Sequence, residues 1–335
     1  MLHCRSVVIA FSLFIFGPCF GYSARAREPQ PVVLKRNGNE IEVTIGGKPF
    51  TTYYFATAVA KAYFQPLRSA HGTVVTRSFP LRNSVPSANE HDPSLEPHQR
   101  PMYFAHGNID GLDFWGEEVF KKYYRGTTKQ RYGRMVFRKL EEMHDGRESG
   151  VIRADFDLES PTGVSLAEEM QTFTFRGDSE TRTIDCEFVI TASYGPVVMG
   201  DTKEGTFAIR VASELNSPPG RMVSSNGMVG EKKIWGTRAN WVDYSGIVEG
   251  ENVGIAIFDN PKSFRHPTYW HARAYGLFAA NPFGIREFTQ DPEQDGSWTI
   301  IKGQPLALRY RVLIHHGNEK EARIAEAYED YVAGK

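Results

Sequence analysis

Two windows of the 335-residue chain concentrate groups able to move protons, grip a ligand or stack on a ring. The first, residues 90–115, holds His91, His98 and His106, the cation Arg100, and the carboxylates Glu90, Asp92, Glu96, Asp110 and Asp113, and it closes on Phe114 and Trp115. The second, residues 266–284, packs His266, Trp270, His271, Arg273, Tyr275 and Asn281 into 16 residues. Nine histidines follow residue 26, and six of them lie in residues 71–106 and 266–271, which random scatter would not produce. Histidine titrates near neutrality, so His98, His106 and His271 are candidates for general acid/base work. Asp113 or Asp243 would orient a histidine. Arg100 and Arg273 would clamp a carboxylate or fix hydroxyls. Trp115, Trp270 and Tyr275 would stack on a ring, and Asn281 adds a two-way hydrogen-bonding group. A sugar offers hydroxyl rims around C–H faces, which suits such a set. The expectation is one site built from both windows, with His106 and His271 approaching across a cleft.

Other chemistries leave weaker traces. There is no His-Glu-x-x-His, no Walker loop, no dinucleotide fingerprint and no Gly-x-Ser-x-Gly elbow. No cofactor is expected; a metal held by His98, His106 or His271 is the alternative. The net charge of −1 lacks the electrostatic footprint of a nucleic-acid binder. Asp243 sits in Trp241-Val242-Asp243-Tyr244-Ser245-Gly246, where its plainer role is to start a turn. Glu168 and Glu169 precede an apolar run; one pointing into the site is the sharper reading, a solvated strand end the plainer one.

The elements that must position these groups are strands. Ile41, Val43 and Ile45 alternate with polar residues, Gly46-Gly47 supplies a turn, and residues 50–55 return. Residues 73–79 read as a short strand. Residues 81–101 carry Pro86, Pro93, Pro97 and Pro101, which exclude a helix interior or a central strand, so His91 and His98 sit on a long loop. Residues 102–105 read as a strand leaving it. From residue 134 the pattern is strongly β: 134–143, 151–158, 170–175, 183–192, 207–211, 253–258, 298–301 and 306–314, with a Gly/Pro/Ser-rich loop at 215–236. Asn318 with Glu321 has capping-box spacing before a helix whose stripe is Ile324, Tyr328 and Tyr331 or Val332. The class expected is all-β: a large two-sheet antiparallel β-sandwich of the supersandwich kind with a C-terminal helix, one domain over residues 27–335.

Residues 1–26 read as an export signal. Arg5 precedes an apolar run at 7–16, and Ala24-Arg25-Ala26 is a cleavage site, so a periplasmic or secreted protein is expected. The run falls short of the ~20 apolar residues of a span, and no integral membrane span is expected after cleavage. Only Cys186 certainly remains in the mature chain, in an alternating apolar pattern that predicts a buried, inert thiol.

Residues 105–115 (AHGNIDGLDFW), 238–246 (RANWVDYSG) and 270–284 (WHARAYGLFAANPFG), with 308–317 (LRYRVLIHHG), resemble an uncharacterised bacterial family often labelled methane oxygenase PmoA. The resemblance covers nearly the whole mature chain. It implies an exported protein of bacteria that degrade polysaccharides. The family commonly shows Pro-His-His-Arg-Gly before the Ala-His-Gly motif, whereas this chain reads Pro97-His98-Gln99-Arg100-Pro101. A role needing both histidines is lost, and one needing His98 and Arg100 survives. Three functions follow as expectations: histidine acid/base chemistry on a small sugar or oligosaccharide, of a lyase or isomerase type; non-catalytic carbohydrate binding; and the metal-dependent oxygenase that the label implies.

Overall fold

Alternation decides this fold. In β7 (Gly150–Glu159) and β9 (Arg182–Thr191) every second side chain is buried and the ones between are half-exposed, the signature of a strand with one face in a core. The computed structural model describes Met1 and residues 28–79, 96, 98–118 and 131–334. Apart from Met1, the expected signal lies outside them, as do Glu90, His91 and Asp92.

One eight-stranded sheet runs β1 (Val32–Asn37), β2 (Glu40–Ile45), β3 (Lys48–Tyr54), β4 (Tyr63–Gln65), β5 (Met102–His106), β11 (Gly205–Arg210), β16 (Leu277–Asn281), β15 (Tyr269–Ala272). The other runs β12 (Arg221–Ser224), β13 (Trp241–Val248), β14 (Glu251–Asp259), β18 (Pro305–His316), β9, β8 (Ser165–Gly177), β7, β6 (Arg134–His144). A ribbon pairs β10 (Val197–Met199) with β17 (Trp298–Ile300). Neighbouring strands are antiparallel throughout. The all-β two-sheet sandwich expected from the sequence is the fold observed.

The core lies between the sheets. Phe104 of β5 stacks on Phe188 of β9 with ring centroids 4.1 Å apart, and Phe188 also meets Phe173, Phe207 and Tyr310. Such contacts add to the area buried and fix the sheets' relative position. Cys186 is a buried free thiol in this core, as expected. The outer face of the second sheet is closed by α3 (Ile324–Val332), whose Ile324 and Tyr328 cover Trp241, Ala256, Phe258 and Leu313. The predicted box forms: Asn318 Oδ1 accepts from the Lys320 and Glu321 amides, and Glu321 accepts from the Asn318 amide. The α-helix itself begins only at Ile324, after a turn that ends on Arg323 at φ 53°. No helix among the described residues is long and apolar enough to cross a membrane.

Three local readings need correction. Residues 73–79 make only isolated bridges at Val74 and Thr76. The 215–236 loop contains β12 and a short helix, α1 (Glu231–Ile234). Asp243 starts no turn; it lies within β13.

Glu169 is also not a solvated strand end. It and Gln171 face the core from β8; the Tyr53 hydroxyl donates to Gln171 Oε1 (2.7 Å), and Gln171 Nε2 donates to Glu169 Oε1 (2.7 Å). Burial pushes the Glu169 carboxyl up to about 8, so the folded chain holds a proton there that the unfolded chain has released. Its contribution to stability is complete below pH 4.5 and lost as pH rises through about 8. The expected loss is on the order of 4–5 kcal/mol across that window. Urea unfolding at the two ends of the window should show Glu169→Gln removing a component of that size from the wild-type pH dependence.

Candidate functional site

The geometry starts from a short strap, residues 200–204, that leads into β11. His106, the last residue of β5, places Nε2 2.8 Å from the Gly200 carbonyl. Asn281, the last residue of β16, donates from Nδ2 to Thr202 O at 2.9 Å. His271 of β15 places Nδ1 3.0 Å from Lys203 O. The Gly107 amide donates to Glu204 O at 2.7 Å. A carbonyl only accepts, so each facing ring nitrogen carries the hydrogen. Burial keeps both rings neutral, pushing His106 down to about 4 and His271 to about 3. The tautomers follow: His106 Nδ1 and His271 Nε2 are the acceptor nitrogens. His106 Nδ1 is buried with no hydrogen-bond partner among the described residues. Gly205 lies against this ring; a Cβ there would stand 2.5 Å from Nδ1. The two histidines expected to face each other across a cleft instead clamp carbonyls of one segment.

Beside the strap is a polar cleft of about 370 Å³ lined by Gly107, Asn108, Gly111, Asp113, Arg131, Asp201 and Thr202. Asp113 Oδ1 accepts from the Trp115 and Gly116 amides, both at 2.8 Å. Burial raises its pKa, and those amides and Lys61 offset part of the rise. Asp201 Oδ2 accepts from the Arg286 amide (3.0 Å), at α2 (Ile285–Thr289), and from the Gly296 amide. Glu204, next along the strap, keeps 38% of its side chain exposed. Its carboxyl is nevertheless pushed up to about 7, first by burial, then by the carboxylates of Glu96, Glu287 and Asp113 against Lys203. Nothing in the sequence around Glu204 flags it; only the path of the strap does.

The wall behind the cleft is a buried charge cluster. Glu117 accepts from Arg100 Nη2 (2.6 Å) and lies 3.2 Å from Lys61 Nζ. Lys61 also donates to the Trp115 carbonyl. Burial pulls Lys61 down to about 8, with Glu117 opposing. The Arg100 guanidinium sits 3.4 Å from the Phe79 ring centroid and 5.3 Å from that of Tyr63. His98 Nε2 is 3.4 Å from Glu96 Oε2, and burial with the cations Lys61, Arg77 and Arg100 holds the ring neutral. Trp115 packs on Tyr103 (4.9 Å) over the outer face of the first sheet, with Ala105, Ala208 and Ala279 beneath. Arg100 thus serves the wall, and Trp115 is 2% exposed.

From the second window, Arg273 pairs with Glu231 (3.0 Å) and lies over Tyr275 (5.5 Å), which is half-buried. His98, Arg100, Asp113, Trp115, His271, Arg273, Tyr275 and Asn281 therefore gather on the outer face or one end of the first sheet. Two candidates do not join them. Trp270 is 0% exposed in the inter-sheet core, its indole donating to Ala239 O; adjacent strand residues point to opposite faces, so Trp270 turns inward because His271 turns outward. Asp243 belongs to the second sheet and pairs there with His315 Nε2 at 2.7 Å. Two groups were missed: Glu204, and Trp235, a partly exposed indole 6.5 Å edge-on from His271.

His98, His106 and His271 each turn one ring nitrogen to a protein oxygen, of Glu96, Gly200 and Lys203, and among the described residues no three His, Cys, Asp or Glu side chains converge as a ligand set.

A family sequence model matches residues 40–329. The chain belongs to the family of unknown function DUF6807. That description names no oxygenase. No curated protein shows a significant sequence match. Among solved structures, the DUF6807 chain is similar to an alpha-galactosidase from Lactobacillus brevis (8% identity, TM-score 0.38, 87% of this chain and 40% of that one). It is also similar to a 4-alpha-glucanotransferase from Thermococcus litoralis (11%, 0.36, 87% and 39%). A third is a galactose mutarotase related enzyme from Lactobacillus acidophilus (10%, 0.28, 86% and 98%). The chain spans about two-fifths of the length of the first two.

Removing Glu117 leaves Lys61 and Arg100 buried together. Glu117→Ala should cost ~3–5 kcal/mol, measured by denaturant unfolding. Adding Lys61→Met should recover part of that loss.

Proposed function

We propose that this DUF6807 protein binds a carbohydrate in the cleft beside the strap and moves a proton on it. The carrying observation is a pair of carboxyl groups at the strap, Asp113 in the cleft wall and Glu204 on the strap itself, near enough to repel each other and both with raised pKa. Two carboxyls held at different protonation states supply an acid and a base at one pH. Glu204, at about 7, is the acid, and Asp113, raised by burial but with its charged form favoured by the Gly116 and Trp115 amides and Lys61, is the base. Asn108, Thr202 and Arg131 supply hydrogen bonds for hydroxyl groups. His106, His271 and Asn281 take the positioning role, since their polar atoms hold the strap. His98 and Arg100 brace the wall, and Arg273 packs over Tyr275. The proposed setting is the periplasm or the cell exterior, in keeping with the export signal read in residues 1–26.

The test is equilibrium binding and product analysis with mono- and oligosaccharides. Asp113→Asn and Glu204→Gln should still bind sugar and lose ~10²–10⁴-fold in turnover. The wild-type rate should fall as pH rises through about 7, where Glu204 loses its proton, and Glu204→Gln should abolish that limb. Full turnover in both variants, or no sugar bound by the wild type, overturns the reading.

A further inference from the structure

Four of the five tryptophans are buried or partly buried; Trp298 alone is well exposed, at 45%. It begins β17, and its neighbours hold it still. Its ring packs against Phe264 (5.0 Å) and lies 5.8 Å from the Arg265 guanidinium. Arg265 donates to the carbonyls of Gly296 and Ser297, the two residues before it. Phe264 stacks in turn on the core ring Phe283 (5.8 Å).

The platform is tied to the cleft. Trp298 pairs with Met199 across the ribbon, and Met199 is two residues from Asp201, at most ~7 Å along the backbone. Asp201 lines the cleft through one part of the residue while its Oδ2 accepts from Gly296. Asp110 does the same from the other side: its amide donates to Val198 O, and its Oδ1 accepts from the Val198 amide. One stiff assembly therefore carries both the cleft wall and the indole.

We infer that Trp298 is an outlying subsite for the same ligand, stacking on a sugar unit of an oligosaccharide whose other end lies in the cleft. The inference rests on the carbohydrate reading above and narrows it from sugars in general to chains. A fixed indole gives up little conformational freedom when a ring settles on it, which makes such a platform effective. The alternative occupant, a protein partner, would need a broad apolar patch. Strand alternation denies it one: Val198 and Thr299 face the opposite side of the ribbon, and Val197, Met199 and Ile300, which share the side of Trp298, are buried. The Arg265 guanidinium borders the ring instead, and Ser297, its neighbour in the chain, carries a hydroxyl; such groups hydrogen-bond to hydroxyls.

The experiment compares full-length wild type, Trp298→Ala and Trp298→Phe by calorimetric titration. The probes are glucose, galactose, xylose and galacturonic acid, each as monomer and as hexamer. Trp298→Ala should weaken the hexamer that binds by about tenfold and leave the monomer unchanged, with Trp298→Phe recovering much of the loss. If hexamer affinity stays within about twofold of wild type, or monomer and hexamer weaken alike, Trp298 is no subsite while the cleft reading stands. If the wild type binds none of the probes, the carbohydrate reading falls and takes this one with it.

Discussion

The proposed site depends on three side chains gripping one stretch of backbone. Residues 200–204 have no ladder partners along most of their length, and a bare loop would leave its carbonyls to water. His106, Asn281 and His271, each on a different strand of the first sheet, take the carbonyls of Gly200, Thr202 and Lys203 in turn. Each ring needs only one N–H for the grip, and burial keeps both rings neutral. The strap then carries Asp201 and Thr202 into the cleft wall, with Glu204 at its end. Loosening any clamp would shift Glu204, the wall and the link to β17 together.

The sandwich spends its stability unevenly. Between the sheets lie aliphatic side chains and a run of packed phenylalanines, with Glu169 neutral among them. Over the outer face of the first sheet lies a desolvated set of charges: Lys61, Arg100 and Glu117. Such a set is no better for stability than well-packed carbon, but it is costly to disturb. It fixes the loop that follows β5, and with it Asp113, in one arrangement. A site placed on such a frame needs little rearrangement to meet its ligand.

The architecture was legible because alternation is a direct print of burial. Residues 151–158 and 183–192 read as half-buried strands, and so they are. Hidden were segments whose burial is not written in apolar residues. β12 looks like a loop because Gly220, Ser224 and Ser225 surround it, and its place is set by pairing with β13. The site was half legible. Histidine clustering pointed to the end of the first sheet where the strap runs, because the two windows supply β5, β15 and β16. It did not reveal that the polar atoms face backbone, which depends on where the strap runs. Trp270 could have been set aside by parity alone, since it precedes His271 on one strand. Glu204 and Trp235 sit in no motif, and only the folded chain shows them near the others.

On the far side of the molecule, the His315 ring lies over Gly254 to reach Asp243, two strands away. A Cβ at position 254 would stand 2.2 Å from the ring. Three residues distant in sequence are thereby locked into one hereditary unit. A side chain at 254 is compatible only with a smaller group at 315, and a smaller group at 315 leaves the Asp243 carboxyl buried without its hydrogen-bond partner. Among relatives of this chain, the three positions should change together or not at all, and a drift at any one of them would mark a branch in which this face of the sandwich has been rebuilt.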